Sequence, residues 1–512
     1  MTIKRTIKRG FILNILHQLL LIIVPIILTP YISRVLKPDG VGINSFTTSL
    51  ISYFTIFAAL GFTFYAQREI SRSQGDIAKQ SKTFWEILIC RSASVGIAIV
   101  LNVILCLTHV YGVYEMYMIL QTINIVVILI DITFFFQGQE KFGRIVSFNS
   151  LARVASVILI YTLVKTENDL WIYILINSVT ALAANALLWI YIPKSIVKVP
   201  FKELKPFRHL KGTLLLFLPT VAVSIYTILD RTLIGAMIPG EVVVEGVTKK
   251  ISELENGYYE QSEKIVKMLL VLFTAIASVM IPRNSKEFAS GNIEQVKKNI
   301  YLSSNLVWLL GIPIILGLFL VIPCFVPIFF GPGYDKCVVL ILTFSSLVLF
   351  IGFSNVLGVQ YLVPTQQDRR YTIALVSGAF INLILNLFFI KYWWSTGAAI
   401  ASIIAEFSVT LIMFWFVRKE LDIKKIFKLS IKYIIAGAVM FTPLFFLDRF
   451  CLAYFLAGKI WEVIIIAGLG IIIYFSTLLI LKDRLTMQVT KRIINWFRRK
   501  EGKKELDVDR EI

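Results

Sequence analysis

Histidine is nearly missing from this 512-residue chain: there are three, His17, His109 and His209, and none sits in a ligand-like cluster. The five cysteines, Cys90, Cys106, Cys324, Cys337 and Cys451, are scattered and form no CxxC pair, which removes zinc sites and dithiol redox chemistry. No GxxxxGK[ST] loop occurs, so ATP hydrolysis by that route is excluded. Charge is scarce too. Asp, Glu, Lys and Arg make up 16% of the chain, where a soluble protein carries about 25%. That argues against a soluble enzyme, and the high hydrophobicity argues against a disordered chain.

What the chain does have is apolar sequence: 57% hydrophobic and 13% aromatic residues, laid out in runs. Such runs, of about 20 residues, match a bilayer core roughly 30 Å thick. Reading them between polar breaks gives fourteen spans: 11–33, 41–66, 84–108, 114–136, 147–164, 171–191, 213–238, 257–281, 299–324, 335–363, 371–391, 397–417, 429–448 and 460–481. Span 335–363 is over-long, and Gly352, Gly358 and Pro364 predict a break in its second half. The opening MTIKRTIKRG has the basic flank of a signal peptide. The apolar run that follows to Ser33 is too long for a signal core and lacks a small-residue cleavage site, so it reads as an uncleaved span.

The excess of 52 Lys+Arg over 32 Asp+Glu gives a net charge of +20. In a membrane protein this suits cytoplasmic loops facing anionic lipid better than nucleic acid. With the N-terminus placed inside, the inner segments hold 37 Lys and Arg, and the outer loops together with the adjoining span-end residues Lys336 and Lys391 hold 9. The expected topology is multi-pass with both termini cytoplasmic. The longest outer loop, 239–256, is too short for a folded domain.

The two halves resemble each other. RVLKPDG after the first span matches DRTLIG and, beyond an insertion, ENGYYEQSEK; Arg34 aligns with Arg231, and Asp39-Gly40 with Glu255-Asn256-Gly257. FQGQEKFGRI corresponds to PTQQDRRYTI. An offset of six spans preserves orientation, so the halves are expected to be parallel repeats about an axis along the membrane normal. The expected fold is all-α and integral to the membrane, with two six-helix bundles around a central cleft and two appended helices. The expected domains are an N-terminal bundle (1–192), a cytoplasmic basic linker (193–212), a C-terminal bundle (213–417), the appended helices (429–481) and a basic cytoplasmic tail (482–512).

Ionisable groups within spans cost about 2.5–3.5 kcal/mol each at the bilayer centre, so they usually face a polar interior. Here they are Arg91, Asp131, Arg153, Asp230, Arg231, Glu260, Glu263, Lys264, Lys267, Glu406 and Lys432. Glu260, Glu263, Lys264 and Lys267 fall at i, i+3, i+4 and i+7, on one helical face. That stripe lines a cavity, or its i, i+4 pairs neutralise one another; both readings are open. Arg91 and Arg153 are substrate contacts or snorkelled structural arginines. Asp131 pairs with an arginine or binds a coupling cation, and Lys432 is an interfacial anchor. Pro25, Pro30 and Pro219 mark hinges or tolerated kinks.

The segments PYISRVLKPDGVG, YFTIFAALGFTFYAQREISRSQGD, DITFFFQGQEKF, SIYTILDRTLIG, GYYEQSEKIVKMLL with IPRNS, and SNVLGVQYLVPTQQDRRY carry a family resemblance. INLILNLFFI with TGAAIASIIAEF belongs to the same set. Together they resemble the multidrug/oligosaccharidyl-lipid/polysaccharide exporter superfamily, and within it the Wzx-type flippases of the polysaccharide biosynthesis protein family. That family often has glycine where this chain has Lys37. The resemblance implies alternating-access transfer of an undecaprenyl-pyrophosphate-linked oligosaccharide. Transfer would run from the inner to the outer leaflet of a bacterial cytoplasmic membrane, for surface polysaccharide or capsule assembly.

No covalent chemistry is implied, so the chain is expected not to be an enzyme. Neither catalytic residues, a metal nor a cofactor are expected, with coupling by H+, Na+ or membrane potential left open. The expected partners are the lipid-linked oligosaccharide, membrane lipids and polysaccharide polymerase machinery, with no nucleic acid, for a monomer. Candidate substrate-binding residues are Arg34, Arg91, Arg153, Arg231, Lys264 and Lys267, because guanidinium and ammonium groups both suit pyrophosphate. Asp131, Asp230, Glu260, Glu263 and Glu406 are their charge partners or a coupling-ion site. A cation-coupled drug or metabolite antiporter of the same fold is the alternative, and a membrane polysaccharide polymerase the remote one.

Overall fold

In lipid a backbone must satisfy its own N–H and C=O groups, and long apolar runs do so as helices. The structure, a computed structural model, describes residues 2–192, 196–244, 246–452, 459–488 and 490–491. The first part of the chain folds as α1 (Thr2–Ala59), α2 (Phe62–Arg72), α3 (Ile77–Leu107), α4 (Glu115–Ile130), α5 (Thr133–Gly138), α6 (Phe142–Leu163), α7 (Leu170–Leu188) and α8 (Leu210–Met237). A hairpin follows, β1 (Glu241–Val244) against β2 (Val247–Lys250), antiparallel. The remaining helices are α9 (Ile251–Ala289), α10 (Ile293–Phe330), α11 (Asp335–Phe344), α12 (Leu347–Ser354), α13 (Asp368–Val417), α14 (Ile423–Leu447) and α15 (Ile460–Ile480). Beyond Lys491 the basic tail lies outside the described residues.

Among the described residues eleven helical stretches are long and apolar enough to cross a membrane. Two of them each hold two predicted spans joined across a kink, at Lys37 in α1 and at Trp394 in α13. The 28-residue α8 accounts for one more, so each of the fourteen predicted spans has helix. The protein is an all-α multi-pass membrane protein.

The kink in α1 falls at neither Pro25 nor Pro30. Pro25, Pro30 and Pro38 all lie inside α1, and the non-helical residue is Lys37, with φ 56° and ψ 175°. A residue preceding proline is pushed out of the α region, and Lys37 precedes Pro38. Positive φ favours glycine, so the position where the resembling family often has glycine is where the backbone needs it. Lys37 instead pairs with Glu167 at 2.9 Å. Pro219 lies within α8, and its side chain is outside the described ones. Span 335–363 breaks at Ser345 and Ser346, between α11 and α12, and leaves α geometry again in its second half, where Asn355–Leu362 is π-helical. Span 114–136 is also divided, at Asp131 and Ile132.

Two compact units emerge. One comprises Met1–Met268, Phe329–Leu340 and Leu375–Ala405; the other Leu269–Ile328, Ile341–Ala374 and Glu406–Ile512. In the first, α3 shows how the helices are oriented. Ile97, Val100, Leu101, Ile104 and Leu107 form an exposed apolar face, whereas Arg91, Ser94, Ala98 and Asn102 are buried. Because lipid is as apolar as leucine, helices associate through small residues and polar links. Asn102 donates to Thr122 at 2.8 Å, and Gln121 to Thr47 at 2.7 Å. A close backbone approach joins α1, just past its kink, to the start of α9. A Cβ on Gly42 would lie 1.7 Å from the Glu253 carbonyl oxygen, and one on Gly257 would lie 1.9 Å from that of Pro38.

The linker before α8 is tied down by a buried acid. Glu86 accepts from the Lys205 backbone N–H at 2.8 Å and from Arg208 at 2.6 Å, and contacts His209 Nε2 at 3.0 Å. Burial pushes the His209 pKa below the usual histidine value. The other unit has a comparable anchor, where Glu420 accepts from Arg370 at 2.6 Å, Tyr361 at 2.8 Å and Gln367 at 3.0 Å.

Candidate functional site

Helical spacing brings the α9 stripe together, as expected. Lys264 lies 3.3 Å from Glu260 and Lys267 lies 2.6 Å from Glu263, both i, i+4 pairs. The tertiary fold adds Arg231 from α8, whose guanidinium fork reaches Glu260 at 3.0 Å and also holds Glu263. Two carboxylates and three cations thus form one network with a net charge of +1. Its arginine is four-fifths shielded, at 20% exposure, whereas Lys264 and Lys267 are 38% and 51% exposed. Ser45 donates to Glu260 at 3.3 Å, and Asn256 holds the Arg231 carbonyl at 2.8 Å.

Asp230, the preceding residue, enters a different network. Its buried carboxylate accepts from Asn386 at 2.6 Å and from the hydroxyls of Tyr259 and Ser402. Asn386 also donates to Asn382 at 3.0 Å. These donors are all neutral, an unusual shell for a buried carboxylate.

A cavity of about 420 Å³ opens beside the charged stripe. Its wall includes Pro25, Thr29 and Ile32 of α1, Asn149, Arg153 and Ser156 of α6, Tyr173, Asn177, Thr180 and Asn185 of α7, and Gln261 and Lys264 of α9. Arg153 and Lys264 are the two candidate cations in that wall. The volume falls within the ~300–1,000 Å³ of small-molecule sites, but the lining is richer in amides and hydroxyls than such sites usually are.

The other candidates lie elsewhere. Arg91 is 2% exposed; it donates to the carbonyl oxygens of Leu129 (3.2 Å) and Asp131, and its guanidinium lies 5.2 Å from the Phe134 ring centroid. It bridges the gap between α4 and α5, where freed carbonyls need a donor. Asp131 accepts the Thr133 backbone N–H at 2.8 Å, starting α5. Arg34 is exposed near the α1 kink and packs against Gly331, where a Cβ would come within 3.0 Å of its side chain. Glu406 belongs to the other compact unit, half-buried in the second part of α13.

Sequence reading missed the amide wall: Asn149, Asn177, Asn185 and Gln261 carry no charge, and asparagine inside an apolar run raises no alarm. A signal was available. Tyr173, Asn177, Ala181 and Asn185 recur every four residues in an otherwise apolar span, the spacing of one helical face.

Comparison with known proteins gives a consistent outcome. A family model described as "Polysaccharide biosynthesis protein" matches residues 7–288, more than half the chain. A protein named "Putative O-antigen transporter" in Escherichia coli (strain K12) is 26% identical over 425 residues, covering 82% of this chain and 98% of that one. Among solved structures, the lipid II flippase MurJ in an inward closed conformation superposes with a TM-score of 0.70 at 15% identity, covering 92% of this chain and 98% of MurJ. An inward-facing multidrug resistance MATE family transporter gives 0.59 at 12% identity, covering 80% and 95%. At these identities the two structures speak for the fold alone.

Proposed function

This chain belongs to the polysaccharide biosynthesis protein family, and from that premise we propose that it flips a lipid-linked oligosaccharide across a bacterial cytoplasmic membrane for surface polysaccharide assembly. The carrier is read as undecaprenyl pyrophosphate and the mechanism as alternating access between two parallel six-helix halves. One observation carries the reading: a polar cavity walled by amides, hydroxyls and two cations, beside a net-positive network, within helices whose outer faces are apolar. A hydrated saccharide needs the amides and hydroxyls, and an anionic linkage needs the cations. The reciprocal contact of Gly42 with Glu253 and Gly257 with Pro38 supports a repeat in which Gly42, two residues beyond the aligned Gly40, corresponds to Gly257, since segments related by an axis meet symmetrically where they cross it. Moving an anion outward across an inside-negative membrane is downhill by about 2.3 kcal/mol per charge per 100 mV, so no nucleotide is needed.

Deletion of the gene should make the lipid-linked oligosaccharide accumulate facing the cytoplasm and remove the surface polymer, and the intact chain should restore it. Normal polymer in the deletion strain would end this reading. The Lys/Arg count puts the hairpin outside and the linker inside. A cysteine at Val243, 66% exposed, should therefore be labelled in intact cells, and one at Lys198 only after permeabilisation. The reverse pattern would overturn the orientation assigned from the Lys/Arg count.

A second reading, cation coupling, is favoured by Asp230. A buried carboxylate with only neutral donors is stabilised by a proton or a small cation. Asp230→Asn keeps the shape and removes the charge, and turns one acceptor oxygen into an NH2 donor that the Tyr259 and Ser402 hydroxyls can accept by rotating. Transport by this variant should no longer respond to a proton or sodium gradient, at unchanged membrane abundance. An intact gradient response would remove Asp230 from any coupling role.

A further inference from the structure

We propose that the cavity between α1, α6, α7 and α9 contains a built saccharide-reading subsite, in which the side-chain oxygens of Asn177, Asn185 and Gln261 accept from sugar hydroxyls. The proposal rests on the flippase reading and adds which residues choose the cargo.

The amides are held in a particular way. Asn177 donates its Nδ2 to the Tyr173 carbonyl at 2.8 Å, and Asn185 its Nδ2 to the Ala181 carbonyl at 3.0 Å. Gln261 donates Nε2 to Ser33 at 2.9 Å. Each amide is anchored through its nitrogen and turns its oxygen to other use. For Gln261 the consequence is sharp: the residue is 1% exposed, lines the cavity, and its Oε1 has no partner among the described residues. A buried acceptor left unsatisfied costs about 1–3 kcal/mol, which a donor from a ligand would recover.

The rest of the wall fits the same cargo. Tyr173, Asn177, Ala181 and Asn185 stand at i, i+4, i+8 and i+12, an aromatic ring and two amides on one helical face. Ala152, Ala181 and Ala184 keep that surface low, leaving room for a ring. Saccharides present hydroxyl donors at their edges and C–H groups on their faces, and the aromatic–amide row complements both. Among the described residues Arg153 forms no ion pair, and with Lys264 it places positive charge on the same wall. An anionic group fits there, either the carrier's diphosphate or a carboxylated sugar.

The test uses the full-length chain in lipid nanodiscs and two probes. These are the glycosylated carrier extracted from the deletion strain and bare polyprenyl diphosphate. Asn177→Ala, Asn185→Ala and Gln261→Met should each weaken binding of the glycosylated carrier about tenfold and leave the bare carrier unchanged. Variants are compared at matched thermal stability. Arg153→Met should weaken both probes if it holds the diphosphate, and only the glycosylated one if it holds an acidic sugar. Equal weakening of both probes by the amide variants, or no weakening, overturns the subsite while the flippase reading stands. Failure of the unaltered chain to bind either probe overturns both.

Discussion

Arg231→Met should abolish surface polysaccharide in a complemented deletion strain, the largest loss expected from any single charge in this protein. Among the described residues Arg231 is the one that pairs with both Glu260 and Glu263, and all three side chains are at most 20% exposed. Without it each carboxylate keeps a single lysine that is more than a third exposed. Removing one partner from a buried pair costs about 3–5 kcal/mol, because the remaining charge stays buried. Arg231→Lys keeps the charge but cannot grip two carboxylates with one planar fork, so partial activity is expected. The informative companions preserve charge balance: Glu260→Gln with Lys264→Met, and Glu263→Gln with Lys267→Met. If the lysines hold the anionic cargo, both doubles should fail to transport while remaining abundant in the membrane. Full rescue by both would make the stripe a structural feature. Polymer is measured per unit of membrane-inserted protein, which separates lost transport from lost folding.

Gly42→Ala and Gly257→Ala should each prevent stable accumulation. The added methyl carbons would sit 1.7 Å and 1.9 Å from backbone oxygens of the opposing helix, and backbone cannot rotate aside as a side chain can. Overpacking typically costs about 1–3 kcal/mol, and a clash this deep belongs at the upper end or beyond. Gly96→Ala and Gly468→Ala are the controls, since nothing lies within 4 Å of a Cβ at either position. Both are within helices, where alanine gains about 0.5–1 kcal/mol over glycine, so their sign should be opposite. Thermal unfolding in detergent, followed by loss of the monodisperse peak, reads both effects. Unfolding of Gly42→Ala at the temperature of the unaltered chain would mean that α1 and α9 do not cross as closely as described.

Much of this protein is local, and the local part was legible in its residues. Span length follows from bilayer thickness, so the apolar runs alone placed fourteen spans, each of which falls on helix. The pairs Glu260–Lys264 and Glu263–Lys267 follow from 3.6 residues per turn, and they form as that spacing requires. Tertiary structure decided what those local features meet. Arg91 and Arg153 look alike in sequence, each an arginine within an apolar span. One is consumed by carbonyls at a helix break, and the other lines a cavity, because only the packing of α4, α6 and α7 determines where polar groups collect. Arg231 and Asp230 are neighbours that join opposite kinds of network, since adjacent residues on a helix point about 100° apart: Arg231 meets the acids of α9, and Asp230 meets Tyr259 of α9 and the amide and hydroxyl of α13. In water an amphipathic pattern announces a helix's inner face. In lipid both faces are apolar, so which face is inner is set by small residues and hydrogen bonds between helices distant in sequence.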